Sequence, residues 1–285
     1  LKRLNPNAKV LISDPSWENH RALFSQAGFT VENYTYYKAD TRSIDFKGML
    51  ASLNAATAGT IVVLHACCHN PTGYDITAAQ WDEVIAVVKS RGLTAFLDMA
   101  YQGFGQGIAE DGAVIAKFVA AGIDFLVSTS FSKSFSLYGE RVGALSALCA
   151  SKDEADRVLS QLKIAIRTNY SNPPTHGGTV VATVLNTPDL RAQWEKELAE
   201  MRVRIKAMRS ALVEGLKAAG VKQDMSFITQ QVGMFSYSGL SKDQMVRLRQ
   251  EFGVYGTDTG RMCVAALNSG NVQHVCQSIA KVLAD

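Results

Sequence analysis

Short apolar, β-branched runs alternate with helical patterns over the first half of the chain. Residues 9–13 (KVLIS) precede a helical pattern at 17–28, and 60–66 (TIVVLHA) precede another at 77–92. Residues 93–98 (LTAFLD) precede a third at 113–122, and 124–130 (DFLVSTS) follow it. Runs this short and this rich in Val, Ile and Leu read as buried strands. Strands alternating with helices predict an α/β fold: a mostly parallel sheet covered by helices on both faces. Thr77 and Gln80 have capping-box spacing for the second helix. From Thr187-Pro188 a charged amphipathic pattern runs to about Gly220, with Pro at the first helical position. It is long enough to bridge two domains. The pattern beyond it, with MFSYSG at 234–239, a capped helix at 241–253 and a last helix at 271–284, reads as a small α+β unit. The expected division is a large domain over 1–200, ending in the bridging helix, and a small C-terminal domain over 201–285.

Composition narrows the function classes. The 285 residues carry a net charge of +3 with acids and bases interspersed, so no basic stripe points to nucleic acid. No apolar run is long enough to span a membrane. Five cysteines, an odd number without framework spacing, suggest a reduced, cytoplasmic protein. The chain opens on LKRLNPNAKVLIS without an initiator Met, and is expected to be a piece whose start lies elsewhere.

HACCHNPTG, at 65–73, raises the question of zinc. Four ligands must converge on that ion. Along a strand successive side chains point to opposite faces, so Cys67 and Cys68 are expected to diverge, as are the histidines beside them. No second Cys or His pair stands at finger-like spacing, and no metal is expected. Both cysteines read as small buried residues at a strand end.

Ligands of such sheets bind beyond the carboxyl ends of the strands. The early strands run into SDPSWENH, HNPTG, LDMAYQG and STSFSKSFSLYGERVG. Those loops bring Trp17, His20, Asn70, Asp98, Tyr101, Ser130, Ser132, Lys133 and Arg141 toward one crevice. Lys133, among serines, is either an exposed loop lysine or an amine that forms a Schiff base with a carbonyl. Asp98 closes an apolar strand, so its carboxylate needs a cationic partner: a structural arginine or a protonated pyridine nitrogen.

At these residues the chain resembles the class I aminotransferases, in the aspartate and aromatic amino-acid subgroup. The resemblance rests on PSWENH, HACCHNPTG, DMAYQG, SFSKSFSLYGERVG, RTNYSNPP and GMFSYSGL, in family order from about Lys9 to the C-terminus. It implies the fold-type I architecture of pyridoxal-phosphate enzymes. It implies exchange of amino groups between dicarboxylic or aromatic amino acids and 2-oxo acids. Lys133 would hold pyridoxal 5'-phosphate as a Schiff base and shuttle the substrate Cα proton. Asp98 would keep the ring nitrogen protonated. Tyr101 and Asn70 would hydrogen-bond the ring oxygen. Trp17, otherwise a core residue, would stack on the ring. His20, one helical turn on, would brace Asp98. Ser130, Ser132 and Arg141 would bind the phosphate. Arg261, in TGRMCVAAL, is a structural ion-pair residue on its own evidence. The resemblance makes it the grip on the substrate α-carboxylate. Asn70 and Trp17 would face substrate as well. Arg167 would reach a distal carboxylate from the other subunit, which implies a homodimer with shared active sites. The family also places an N-terminal portion, with a phosphate-binding helix N-terminus, before this point. Two other readings stand beside this one: a decarboxylase or lyase on the same fold, and an inactive fragment serving as a scaffold.

Overall fold

The computed structural model describes residues 1–284. The chain begins with β1 (Lys9–Asp14), α1 (Glu18–Gln26) and β2 (Thr30–Thr35), then the short pair β3 (Tyr37–Lys38) and β4 (Ser43–Ile44). There follow α2 (Phe46–Ala55), β5 (Ile61–His65), α3 (Ala78–Arg91), β6 (Thr94–Met99), α4 (Ile108–Ala120), β7 (Phe125–Ser130) and β8 (Gly143–Ala147). The second half runs α5 (Lys152–Tyr170), α6 (His176–Asn186), α7 (Pro188–Ala218), β9 (Phe235–Tyr237), α8 (Lys242–Phe252), β10 (Arg261–Cys263) and α9 (Val272–Ala284).

Six strands form one sheet in the order β2-β1-β5-β6-β7-β8. Every pairing is parallel except β7 with β8. The mostly parallel α/β sheet expected from the apolar runs is therefore present. β5 and β6 lie inside it, and Val62, Val63, Leu64, Ala95 and Leu97 are almost wholly buried. Elements that the hydrophobic pattern did not announce lie at the margins. β2 (TVENYT) is an edge strand buried chiefly through Tyr34, so it has no continuous apolar run. β8 (GALSA) is the opposite edge and is largely exposed. α4 begins at Ile108, five residues ahead of the apolar run that signalled it, because Asp111 accepts N–H bonds from Gly103, Gly105 and Gln106 and fixes the turn before the helix.

The Thr77–Gln80 capping box forms, and α8 carries a second one, Ser241 with Gln244. α7 is a single 31-residue helix with Pro188 at its start. Its inner stripe, Leu198, Ile205, Arg209, Leu212 and Leu216, recurs at helical spacing and is buried. Arg209 is the polar member of that stripe. Its guanidinium donates to the carbonyls of Ile228, Gly233 and Phe235. Such pairing is what makes a buried cation tolerable, and it ties the segment before β9 to the long helix.

One expectation about the chain at 65–69 is corrected. Strand geometry ends at His65, and Cys68 has φ +51°. The alternation that would have separated the side chains does not extend to them. The Sγ atoms of Cys67 and Cys68 lie within 4.8 Å of each other. The rings of His65 and His69 also pack together, with centroids 4.2 Å apart.

Candidate active site

A cavity of about 540 Å³ opens where β5, β6 and β7 end. It is lined by Trp17, His20, Asn70, Asp98, Tyr101, Ser130, Ser132, Lys133, Arg141 and Arg261. Ten of the eleven residues singled out from sequence thus share one pocket. Arg167 does not line it: it sits near the end of α5, exposed, with Nη1 2.5 Å from Ser171 Oγ.

The parallel register explains the floor. His65 of β5 pairs with Asp98 of β6, so both reach the same end of the sheet. α1 starts after the turn that follows β1, and its first turn brings His20 over Asp98. His20 Nε2 lies 2.8 Å from Asp98 Oδ2, and His20 Nδ1 lies 2.9 Å from Ser16 Oγ. Trp17, at the helix N-cap, meets the His20 ring edge-on with centroids 5.3 Å apart. Burial alone would push the Asp98 carboxyl up. The His20 hydrogen bond, helped by the charge of Lys133, outweighs it and holds the group below the ordinary carboxylate value. Asp98 is therefore an anion at the base of the pocket.

Lys133 follows β7 in a turn. Its ammonium faces the rings of Tyr101 and Tyr138, 4.8 and 5.4 Å from their centroids. Partial burial lowers its pKa, the attraction of Asp98 opposes that, and Arg141 adds to the lowering. Burial, then the Asp98 charge, pushes the Tyr101 phenol upward, so it stays a hydrogen-bond donor. Ser132 is buried, and its N–H donates to Ser130 Oγ. Arg141 donates to the Tyr138 carbonyl and has no carboxylate partner among the described residues.

Arg261 opens β10 on the far wall. Its Nη1 donates to Asn70 Oδ1 at 2.8 Å, and the guanidinium lies over the Phe235 ring at 4.6 Å. The ion-pair alternative for Arg261 finds no acid among the described residues; its partner is a neutral amide. Counting fixed charges on the lining, Lys133, Arg141 and Arg261 face one carboxylate, Asp98. A pocket of that balance attracts anionic ligands.

Among the lining residues that the sequence reading did not single out are His65, Tyr138 and Phe235. His65 is the most informative. Both its ring nitrogens are buried without a hydrogen-bond partner among the described residues. Burial, then the neighbouring His69 and His20, keeps it neutral. Its position at the end of a strand beside Asp98 was the signal available in the sequence. In the sequence that signal is masked by the adjacent cysteines, which make the stretch resemble a metal-ligand cluster.

The sequence profile described as "Aminotransferase class I and II" matches residues 1–279. An aspartate aminotransferase of Pseudomonas aeruginosa is 60% identical over 99% of this chain and 71% of its own length. An aromatic-amino-acid aminotransferase of Escherichia coli is 52% identical over the same shares. Among solved structures, the aromatic-amino-acid aminotransferase of Burkholderia pseudomallei, covalently bound to pyridoxal phosphate, superposes with a TM-score of 0.97 at 64% identity. That match covers 99% of this chain and 71% of the other. With the whole sheet, the pocket and the sequence in agreement, the chain belongs to the class I and II aminotransferases.

Proposed function

We propose that the Lys133 pocket exchanges amino groups between an amino acid and a 2-oxo acid, with dicarboxylic and aromatic amino acids as donors. The cofactor of this family is pyridoxal 5'-phosphate. The observation that carries the reading is the gathering of Lys133, the His20–Asp98 pair, Arg141 and Arg261 on one cavity. The named relatives are aminotransferases, and they lend no support to the decarboxylase or scaffold readings.

The donor set fits that cofactor. Lys133 is a primary amine with no carboxylate partner among the described residues, available to hold an aldehyde covalently. Asp98 is a braced anion suited to a ring N–H. Ser130, Ser132 and Arg141 offer hydroxyls and a guanidinium to a phosphate. Asn70 and Tyr101 offer N–H and O–H donors to a ring oxygen, and Trp17 offers a flat face. When bound, pyridoxal phosphate supplies an aldehyde that condenses with amines and a protonated ring that takes up carbanion density.

The chain's own groups do the rest. Arg261 binds the substrate α-carboxylate by its guanidinium fork and fixes which substrate bond faces Lys133. With the cofactor bound, the Lys133 amine would take up and hold the proton from the substrate Cα. Its lowered pKa increases the fraction of neutral amine at any given pH. His20 holds Asp98 oriented and ionised.

We further infer a cytoplasmic homodimer in which Arg167 serves the neighbouring site. α5, which carries Arg167, buries none of its residues and exposes Leu159, Ile164 and Tyr170, as a helix covered by a second copy would. All five cysteines are free thiols. Among the described residues no helix is long and apolar enough to cross a membrane. The large and small domains are assigned to 1–200 and 201–285, with α7 joining them.

Absorption spectroscopy tests the activity. Protein mixed with pyridoxal phosphate should develop a visible band that aspartate or tyrosine bleaches and a 2-oxo acid restores. A band indifferent to every amino donor would overturn the reading.

A further inference from the structure

A second cavity, of about 380 Å³, shares no lining residue with the Lys133 pocket. Cys67, Asp75 and Asp111 line it, together with the start of α3 and the loop at 230–232. Cys67, Cys68 and Asp111 are all buried; Cys67 and Asp111 line this cavity, and the Cys68 thiol donates to the Tyr101 carbonyl at 3.7 Å. The two Sγ atoms and an Asp111 carboxylate oxygen lie within 4.8 Å of one another. Among the described residues the only other group of this kind, His20, His65 and Asp98, belongs to the Lys133 pocket.

The arrangement is fixed by the surrounding backbone. Cys68 occupies the left-handed region at φ +51°, which is uncommon for a side chain larger than glycine. Asp75 holds that conformation by accepting the N–H groups of Cys68 and His69 at 2.6 and 2.8 Å. Gly233 passes so close that a Cβ there would meet Cys68 Cβ at 2.6 Å. The chain therefore keeps the two sulfurs within 4.8 Å of each other, where a regular strand would separate them. Asp111 accepts three backbone N–H bonds, from Gly103, Gly105 and Gln106. A carboxylate has about four acceptor positions, so capacity for one more partner remains.

We propose that Cys67, Cys68 and Asp111 form a binding site for a thiophilic divalent cation of the zinc or cadmium class. Two sulfurs and one carboxylate oxygen suit such an ion, which prefers four-coordination and soft ligands. The thiols give up their protons on ligation. The cavity beside Cys67 provides the entry path and room for a water as fourth ligand. Magnesium or calcium would not compete, because both require oxygen donors.

The test uses the cofactor-loaded protein, reduced with a phosphine and stripped of metal by a chelator, then titrated with Cd²⁺. A thiolate-to-cadmium charge-transfer absorption should grow and saturate at one ion per chain. It should survive in a variant with Cys149, Cys263 and Cys276 all changed to Ser. It should vanish, or require at least tenfold more Cd²⁺, in Cys67→Ser and in Cys68→Ser. X-ray absorption on the zinc-loaded unmutated protein counts sulfur ligands without relying on any variant, and two are expected. Absence of the band, its persistence in Cys67→Ser, its loss in the triple variant, or fewer than two sulfurs would each overturn the site.

Discussion

His20 Nε2 stands 2.8 Å from Asp98 Oδ2, joining the first turn of α1 to the end of β6. The two residues are 78 positions apart in sequence, yet the pair sets the charge of the pocket floor. A hydrogen bond to an ionised group is worth about 1.5–3 kcal/mol, so His20→Ala should weaken cofactor affinity or turnover roughly tenfold to a hundredfold. The accompanying signature is a rise in the pH at which the cofactor-loaded protein loses activity on the acid side, because Asp98 would be easier to protonate. An unchanged acid limb would show that His20 only fills space.

Arg261 is held by Asn70 and stacks on Phe235. Replacing it with Lys keeps the charge and loses the planar fork. Loss of a bidentate contact to a carboxylate should cost about 3 kcal/mol in kcat/KM, a factor near a hundred or more. Near-normal efficiency in Arg261→Lys would assign the residue to structure.

Arg167 lies outside the pocket of its own chain. If it serves the neighbouring subunit, Arg167→Ala should depress kcat/KM for aspartate and glutamate at least tenfold more than for tyrosine or phenylalanine, which have no distal carboxylate. Equal losses for both donor classes would contradict the shared site.

His69 is buried between Ser13 and Thr72 hydroxyls and stacks on Tyr36. Burial, then the charge of His20, lowers its pKa to about 3. The unfolded chain, with an ordinary histidine near 6.5, binds more protons between these values, so stability falls as pH drops below 6.5. The slope approaches about 1.4 kcal/mol per pH unit for one such group. Asp75, raised by burial to about 6, acts in the opposite direction over the carboxylate range. The difference between unmutated protein and His69→Gln isolates the histidine. Urea midpoints measured from pH 7 to 5 should fall less steeply in the variant; parallel curves would refute a neutral buried His69.

How much of this was legible beforehand follows from what each element had to bury. β5 and β6 are covered on both faces, so their apolar runs announced them. β2 and β8 are edges whose mixed or small side chains carry no such run. The site followed from polar residues at strand ends, since the parallel order brings those ends together whatever lies between them. The closeness of Cys67 and Cys68 is not legible, because strand alternation predicts divergence and a single left-handed residue at Cys68 ends that alternation. Their convergence depends on amides bound by Asp75 and on Gly233, a contact 165 residues away that no local pattern carries.

The central claim is that Lys133 is the amine that holds the cofactor. Borohydride reduction of protein loaded with pyridoxal phosphate, followed by peptide mapping, tests it most directly. The account predicts a pyridoxyl label on Lys133 alone, and no stable label at that site's stoichiometry in Lys133→Ala. A label on any other lysine in the unmutated protein, or undiminished labelling of the variant, would contradict it.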